Sequence, residues 1–139
     1  MALPETALRV EVVSADGVIW EGEALSVIAR TTEGDIGVMA NHEPLLAILE
    51  PCAAEVLSAD GLRELVAVDG GFLSVSDNRV ALLSSYAKMA EEITLADAER
   101  ELAEATRRLE AGETDAETQQ HHDRAQAQVR AARKAAERR

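Results

Sequence analysis

The hydrophobic pattern of this chain changes its period once, near residue 90. Before that point apolar and polar residues alternate in short runs, as at residues 8–12, and this alternation is typical of half-buried β-strands. Beyond it, apolar residues recur at steps of three and four, which places them on one face of a helix. These residues are Leu95, Ala98, Leu102, Ala105 and Leu109. We therefore predict strands in residues 1–88 and helices in residues 91–139, as two structural units.

Groups of turn-forming residues divide residues 1–88 into short strands. An Asp-Gly pair at 60–61 and an Asp-Asn pair at 77–78 each separate two β-rich stretches. Asp-Gly is typical of a type I′ hairpin, because both central residues of that turn need positive φ. We also expect a strand break near Gly22 and a connecting turn at the Asp-Gly-Gly run of residues 69–71. Short strands between turns predict an antiparallel β-sandwich or a flattened barrel.

Both predicted helices carry their own start and stop signals. Thr94 is a suitable N-cap for the first helix, and Gly112 is a suitable stop at its C-terminus. Thr114 with Glu117 three residues later predicts a capping box at the start of the second helix. The apolar stripe of that helix consists of Ala125, Val129, Ala132 and Ala136. Because the connection is very short, we predict an antiparallel two-helix hairpin, whose small side chains bury little area and need a surface to rest on.

The charge of the chain argues against nucleic acid as a partner. The formal net charge is −12, whereas a nucleic-acid-binding protein usually presents a basic face. One Trp, one Tyr and one Phe are also too few to form a platform for stacking single-stranded bases. The C-terminal helix end is different, since residues 124–139 contain six basic side chains and one acidic one. We expect an acidic surface opposite it, on a partner or on the sandwich itself.

The apolar residues predict an aliphatic core and no membrane span. The longest unbroken apolar run, residues 45–49, is far too short to cross a bilayer, so we expect any membrane association to go through a partner. Cys52 is the only cysteine, which excludes an internal disulfide, and we interpret it as a small buried hydrophobic residue.

No pattern of residues in the chain predicts catalysis or a metal site. His42 stands beside Glu43, but no serine or cysteine nucleophile is close to it in the sequence. His121 and His122 are adjacent, so on a helix they point about 100° apart and do not form a metal-binding pair. The glycines match no phosphate-binding fingerprint. We therefore predict a non-catalytic protein without a metal or cofactor, and we interpret His42 as a structural or interface residue.

Several segments, taken in order, resemble one known family. They are residues 8–14 (Leu-Arg-Val-Glu-Val-Val-Ser), 33–38 (Glu-Gly-Asp-Ile-Gly-Val), 42–46 (His-Glu-Pro-Leu-Leu) and 69–75 (Asp-Gly-Gly-Phe-Leu-Ser-Val), followed by the helical tail. In this order and spacing the chain resembles the epsilon subunit of bacterial F-type rotary ATP synthases, and the likeness covers nearly its whole length. The resemblance implies a flattened β-sandwich of about ten strands followed by two C-terminal helices.

The resemblance also implies a non-catalytic role in the central stalk of a proton-translocating ATP synthase. In this family the sandwich binds the gamma subunit and rests on the membrane-embedded c-ring. The helical hairpin reaches towards the alpha and beta subunits and restrains ATP hydrolysis. Such a subunit is peripheral, on the cytoplasmic face of the bacterial cell membrane, without direct membrane insertion. The alternative that we keep open is a free-standing ligand-binding regulatory protein whose helices close over a small molecule.

The resemblance also assigns individual residues to particular surfaces. Gly34 and Asp35 correspond to the side that faces the c-ring. The side that faces gamma comprises His42, Glu43, Pro44 and Leu45. The inhibitory helix comprises Arg130, Arg133 and Lys134, which resemble the segment that meets an acidic loop of beta.

Two places depart from the family pattern. Asn41 stands where the family commonly has glycine before the histidine, and asparagine tolerates left-handed backbone angles well enough to preserve the turn. Family members that bind ATP open the first helix with Ile-Asp-x-x-Arg, but residues 93–97 of this chain are Ile-Thr-Leu-Ala-Asp. Since both the Asp and the Arg are replaced, we do not expect the hairpin to bind ATP.

Overall fold

The structure, a computed structural model, describes residues 7–137. Seven strands come first: β1 Leu8–Ser14, β2 Gly17–Thr31, β3 Gly34–Met39, β4 Leu45–Ser58, β5 Arg63–Ser76, β6 Arg79–Leu83 and β7 Ala87–Met89. A 3₁₀ turn at Ala90–Glu92 leads into two helices, α1 Leu95–Glu110 and α2 Ala116–Ala136. The predicted change from strands to helices near residue 90 is confirmed. The outer ends of the two predicted units, residues 1–6 and 138–139, lie outside the described residues.

The strands close into a flattened barrel. Hydrogen bonding runs in the order β1-β6-β5-β4-β2 and returns from β2 to β1, while β3 extends from β2 and β7 pairs with β5. The predicted class, a β-sandwich followed by a two-helix hairpin, is confirmed. One pairing departs from a purely antiparallel arrangement, because β1 and β6 run parallel. Closure of the barrel brings the sixth strand beside the first in the same direction, and no local turn signal encodes such a long-range pairing.

The described residues form seven strands and not the expected ten or so, because three of the strands are long. β2, β4 and β5 contain 15, 14 and 14 residues. The first part of β5 pairs with β7 and its second part with β6. The layer that faces the helical hairpin includes β3 and β7, and we call it the hairpin-side layer. The opposite layer includes β1 and β6, and we call it the bare layer. The three long strands pass through both layers. The predicted breaks near Gly22 and at residues 69–71 are wrong, since β2 and β5 run through these points.

Residues 69–71 bend β5 where it crosses between the layers. Gly70 and Gly71 have φ of +89° and +114°, a region open to glycine and strained for other residues. A Cβ atom on Gly71 would lie 1.9 Å from the carbonyl oxygen of Leu83 on β6. The backbone of Gly71 therefore approaches the neighbouring strand so closely that no side chain fits there.

The main core between the layers is aliphatic, as predicted, and contains no residue of the helices. Its buried members all lie between Leu8 and Met89, and most are valine, leucine or alanine. Cys52 belongs to this cluster with 4% of its surface exposed, and burial raises the pKa of its thiol. Its interpretation as a buried hydrophobic residue is confirmed. The main core is therefore formed by residues of the barrel alone.

The two hairpin turns differ from the sequence-based expectation. Asp77 and Asn78 both have positive φ, of 50° and 61°, which is the type I′ geometry. At residues 60–61 only Gly61 has positive φ, because the loop between β4 and β5 is longer than two residues. The prediction of a type I′ turn at this place is therefore wrong, although the hairpin is present. The Asp60 carboxylate accepts a hydrogen bond from the Leu62 N–H at 3.1 Å, which fixes the wider loop.

The first helix ends where the sequence predicts. Gly112 adopts φ of +94°, and its N–H donates to the carbonyl oxygen of Leu109. The Glu113 N–H donates to the carbonyl oxygen of Arg108. These two bonds form a Schellman cap and satisfy carbonyls that the helix leaves without a partner. Thr94 holds the predicted N-cap position, but its side chain makes no capping hydrogen bond.

The second helix is capped one residue later than predicted. Asp115 is its N-cap, and the carboxylate accepts hydrogen bonds from the Thr118 N–H at 3.2 Å and the Thr118 hydroxyl at 2.7 Å. The predicted capping box of Thr114 and Glu117 is therefore wrong. An ionised carboxylate at this position also interacts favourably with the helix macrodipole, which a threonine hydroxyl does only weakly.

We expect the cap at Asp115 to make the stability of α2 depend on pH in the acid range. Hydrogen bonds from the Thr118 hydroxyl and then from its N–H lower the pKa of Asp115 below the ordinary value. The cap therefore contributes fully above the unfolded-state pKa of about 3.9, and its contribution is lost as the pH falls through the lower pKa of the folded state. Asp115→Asn keeps a capping side chain that does not titrate. Circular dichroism should show a weaker loss of helix below about pH 4 in this variant than in the unchanged chain, and equal losses would contradict this role.

The helical hairpin packs on the outer face of the hairpin-side layer. α2 crosses β4 and β5, and one of its stripes joins a second apolar cluster with sheet residues and the 3₁₀ turn. The helix contributes Ala127, Ala131 and Ala135 to this cluster, and the sheet contributes Ala53, Leu65 and Ala67. The predicted stripe of Ala125, Val129 and Ala132 is also buried, on the side of α1, whereas Ala136 is exposed. α2 therefore has two buried faces, of which the sequence predicted one.

Candidate docking surfaces

The outer face of the bare layer carries an uncovered row of apolar side chains. One such side chain from each of five neighbouring strands lies beside the next in the strand register. In spatial order, this apolar row consists of Ile48, Phe72, Leu83, Val13 and Val18. Leu46 extends the row along β4 and is 73% exposed. Contiguous exposed apolar surface of this kind marks a site of protein interaction.

Phe72 lies near the middle of the apolar row. It is paired with Ile48 on β4 and with Leu83 on β6, yet 49% of its surface remains exposed. The hairpin does not reach it, because α2 packs on the opposite layer and α1 packs on α2. Within residues 7–137 the row is therefore accessible to a partner.

A charged groove continues the bare face beyond the apolar row. Arg9, Glu11, Glu21 and Arg79 line this groove together with serines of β5. Guanidinium nitrogens of Arg9 lie 3.7 Å from a carboxylate oxygen of Glu21 and 3.3 Å from one of Glu23. The groove therefore holds charges of both signs. An apolar centre beside a polar rim is the usual anatomy of a protein–protein interface.

The four predicted gamma-side residues lie where the loop after β3 enters β4. Glu43 and Pro44 are exposed, and His42 is half-buried with its Nδ1 2.7 Å from the carbonyl oxygen of Glu43. Leu45 begins β4, where it is half-buried and packs against the main core. The side chain that points outwards next to it is that of Leu46, which joins this loop to the apolar row.

The loop that carries His42 is held by its neighbours. Asn41 adopts φ of 67°, so its predicted ability to preserve a left-handed turn is confirmed. Its N–H donates to the Asn78 side-chain oxygen at 2.6 Å, and the His42 N–H donates to the Met39 carbonyl at 3.2 Å. The type I′ turn between β5 and β6 therefore positions the loop between β3 and β4.

The predicted c-ring-side residues lie at the hairpin between β2 and β3, at the other end of β3. Gly34 has φ of +114°, and its carbonyl accepts a hydrogen bond from the Thr31 hydroxyl at 2.8 Å. Asp35 is exposed, and its Oδ1 lies 2.9 Å from the Nε of Arg30. The hydrogen bond to this carboxylate raises the pKa of Arg30. Asp35 therefore belongs to an ion pair at an exposed hairpin tip.

The three predicted inhibitory residues of α2 face two directions. Arg130 and Lys134 line a cleft against the barrel that also includes Asp35. Arg133 faces α1, with a guanidinium nitrogen 3.3 Å from a carboxylate oxygen of Glu99. Among residues 7–137, neither Arg130 nor Lys134 has a carboxylate within ion-pair distance. The structure thus brings two of the helix cations beside the c-ring-side hairpin and places the third elsewhere.

A buried ion pair joins β5 to α2. The Asp69 side chain has no exposed surface, and its Oδ2 lies 2.8 Å from an Nη of Arg124 and 3.1 Å from the Nε2 of Gln120. The hydrogen bond to Asp69 raises the pKa of Arg124, whose guanidinium carbon lies 4.5 Å from the centroid of the Tyr86 ring. The sequence prediction treated Asp69 as part of a turn, so its role in holding the helix was missed.

The described residues show no arrangement for metal binding or membrane crossing. Within residues 7–137 no three His, Cys, Asp or Glu side chains are placed to hold a metal ion together. No helix in that range is both long enough and apolar enough to span a bilayer. His121 is half-buried and its Nε2 lies 2.8 Å from a carboxylate oxygen of Glu101, so it links the two helices.

One helix-covered layer and one bare apolar face are features typical of a small subunit of a larger complex. Comparison with known proteins identifies the complex to which such subunits belong. Residues 7–90 match the family described as ATP synthase, Delta/Epsilon chain, beta-sandwich domain. The chain belongs to this ATP synthase delta/epsilon family.

Relatives of the chain agree with this assignment. An ATP synthase epsilon chain of Cutibacterium acnes is 44% identical over 140 residues, which cover 95% of this chain and 96% of the relative. One from Streptomyces avermitilis is 50% identical over 98 residues, which cover 70% of this chain and 79% of the relative. A chain in the cryo-EM structure of the Euglena gracilis mitochondrial ATP synthase, OSCP/F1/c-ring in rotational state 1, has the same fold, with a TM-score of 0.70 at 24% identity. That match covers 98% of this chain and 84% of the other. Members of this family are accessory subunits and not the catalytic subunit, so the predicted non-catalytic role is confirmed.

Proposed function

We propose that the chain acts in the central stalk of a proton-translocating F-type ATP synthase, where its barrel couples the gamma subunit to the c-ring. The observation that carries this proposal is the apolar row on the bare layer of a chain that belongs to the delta/epsilon family. The row offers a partner a wide apolar surface next to a charged groove. A contiguous exposed apolar surface of this kind is typical of a site that a partner covers.

The two ends of β3 suit two different partners. The gamma-side loop, His42, Glu43, Pro44 and Leu45, continues into the apolar row, so we assign both to one interface with gamma. Gly34 and Asp35 lie at the opposite end of β3, at an exposed hairpin that suits contact with the loops of the c-ring. This arrangement would place the chain peripherally, at the cytoplasmic face of the bacterial membrane.

The helical hairpin supplies the proposed restraint of ATP hydrolysis. In the structure it is packed on the hairpin-side layer, through small alanine side chains that bury little apolar area. Its basic residues Arg130, Arg133 and Lys134 suit an acidic surface on beta when the hairpin leaves the barrel and reaches the alpha and beta subunits. Packed and released states would then correspond to free and restrained hydrolysis.

The structure offers little support for a free-standing ligand-binding regulator. The cleft at the hairpin end of the helices is lined by two arginines and a histidine, side chains that an anionic ligand would need. Each of them already has a carboxylate partner: Arg108 has Glu113, His121 has Glu101, and Arg124 has Asp69. These pairs favour a hairpin held together by its own charges.

Deletion of residues 91–139 tests the proposal. We expect the truncated chain to stay folded, because the main core lies between Leu8 and Met89, and to assemble with gamma through the unchanged bare face. ATP hydrolysis by the assembled complex should rise severalfold, measured with purified complexes that contain either form. A truncated chain that assembles without any change in hydrolysis would contradict the inhibitory role of the hairpin. A full-length chain that does not bind purified gamma would contradict the proposal as a whole.

A further inference from the structure

We propose that Asp69, Arg124 and Tyr86 form a releasable latch that sets how often the helical hairpin leaves the barrel. The inference rests on the proposed function only for its consequence in the complex, because the latch itself is a property of the isolated chain. Among the ion pairs of the described residues, the pair between Asp69 and Arg124 is the one with a fully buried partner. It joins strand β5 to helix α2, which are separated by 55 positions in the sequence.

Residues of both the barrel and helix α2 form the latch. On the barrel side, the Ser84 hydroxyl and the Asp69 N–H both donate to the Tyr86 carbonyl, at 2.8 and 3.1 Å, which holds the tyrosine beside the carboxylate. On the helix side, the Arg124 guanidinium donates to the Asp69 carboxylate at 2.8 Å and lies over the Tyr86 ring at 4.5 Å from the ring centroid. The tyrosine face thus stabilises the same cation by a cation–π interaction.

The rest of the contact between helix and sheet is weak enough for this pair to matter. The helix side of the second cluster is formed by alanines, which contribute little apolar area. Removal of Arg124 alone would leave the buried Asp69 carboxylate without a cation in the packed state, with only the neutral Gln120 amide of α2 as a partner, whereas the released state would solvate it. Breaking a buried pair in this way is strongly destabilising, whereas an apolar replacement of both partners is often neutral. The packed hairpin should therefore be stable when both partners are present or when both are replaced, and unstable when only one of them is removed.

The geometry of the pair also permits release. One guanidinium nitrogen contacts one carboxylate oxygen, so the pair does not use the two-bond geometry that arginine can offer. The other carboxylate oxygen, Oδ1, and the Nε of Arg124 make no hydrogen bond to a protein atom of the described residues. When the hairpin opens, both charges return to water, which offsets most of the attraction lost. The latch therefore holds α2 in one position without making that position permanent.

Two reporters in the full-length isolated chain test the latch. Tyr86 is the only tyrosine, so its ring resonances in a ¹³C-tyrosine-labelled sample report the contact with Arg124 directly. Hydrogen–deuterium exchange of the α2 amides reports how often the helix leaves the sheet. Trp20, the only tryptophan, packs against the main core, and its fluorescence shows whether the barrel stays folded.

We expect Arg124→Met to move the Tyr86 resonances and to speed exchange of the α2 amides roughly 100-fold, with Trp20 fluorescence unchanged. The double variant Asp69→Leu with Arg124→Met should restore slow exchange, because it leaves no unpaired charge. Arg107→Met is the matched control, since Arg107 forms an exposed ion pair on α1 and should leave exchange in α2 unchanged.

Exchange in Arg124→Met within about threefold of the unchanged chain would overturn the latch, as would a failure of the double variant to restore it. Loss of the folded barrel in Arg124→Met would also overturn it, because the pair would then support the barrel itself. The proposed function is tested separately, by hydrolysis of the assembled complex. If Arg124→Met opens the hairpin but hydrolysis does not change, the latch stands and the inhibitory role of the hairpin fails.

Discussion

Replacement of Phe72 by glutamate should abolish docking of the chain onto gamma while leaving the barrel folded. Phe72 lies between Ile48 and Leu83 in the apolar row, so any partner that covers the row must cover it as well. In the free chain the new carboxylate reaches water, because the position is about half exposed. In the complex it would be buried without a counter-charge, which costs far more than the loss of the ring alone. We expect the affinity for purified gamma, measured by titration calorimetry, to fall roughly 100-fold or more.

A matched control separates a local effect from a general effect of added charge. Leu62 is also an exposed apolar residue, in the loop between β4 and β5, and it lies outside the apolar row. Leu62→Glu adds the same charge and should bind gamma as the unchanged chain does. If Phe72→Glu binds as well as Leu62→Glu does, the apolar row is not the docking surface.

Gly71→Ala is expected to lower the free energy of unfolding of the barrel by about 3 kcal/mol or more. Its φ of +114° is strained for alanine, and the added Cβ would lie 1.9 Å from the Leu83 carbonyl oxygen. That oxygen belongs to the backbone of β6, so relief of the clash requires movement of a whole strand. Urea denaturation followed by Trp20 fluorescence measures the change, because Trp20 packs against the main core.

Gly37→Ala provides the control for Gly71→Ala. Gly37 lies on β3, its φ is not in the left-handed region, and no atom lies within 4 Å of an added Cβ. The same chemical change should alter the free energy of unfolding there by no more than about 0.5 kcal/mol. Similar effects at the two glycines would show that the crossing of β5 between the layers does not depend on close approach at Gly71.

The parts of the fold that follow from local sequence were predictable. The change of hydrophobic period near residue 90 and the stop at Gly112 each depend on neighbouring residues, and the structure agrees with both. The number of strands was not predictable in this way. A glycine pair is typical of a turn, but at residues 69–71 it allows a strand to bend and continue, and only the pairing with two different neighbours decides between these outcomes. The parallel pairing of β1 with β6 is long-range and has no local signal.

Some features of the candidate surfaces could also be predicted from the sequence, and others could not. The apolar row could have been found from the sequence, because a strand of consecutive apolar residues such as 45–49 must place alternate side chains on the outside. The latch could not, since nothing near Asp69 in the sequence points to Arg124 on a helix 55 residues away. The resemblance indicated residues in both candidate regions, yet it could not show that Leu45 points inwards and Leu46 outwards. The roles of these residues in binding remain predictions for the experiments above.

The closed ring of strands has a consequence for the life of the chain before assembly. A newly made subunit must pass through the cell with its apolar row uncovered, which invites aggregation. Sheet proteins aggregate most readily when such a surface lies next to an open strand edge that can add further strands. Here, within the described residues, the long strands β2 and β4 pair with each other, so the bare layer stays open only along short stretches, residues 17–23 of β2 and 45–48 of β4. Together with a net charge of −12, the short length of these edges limits aggregation while the apolar row is uncovered.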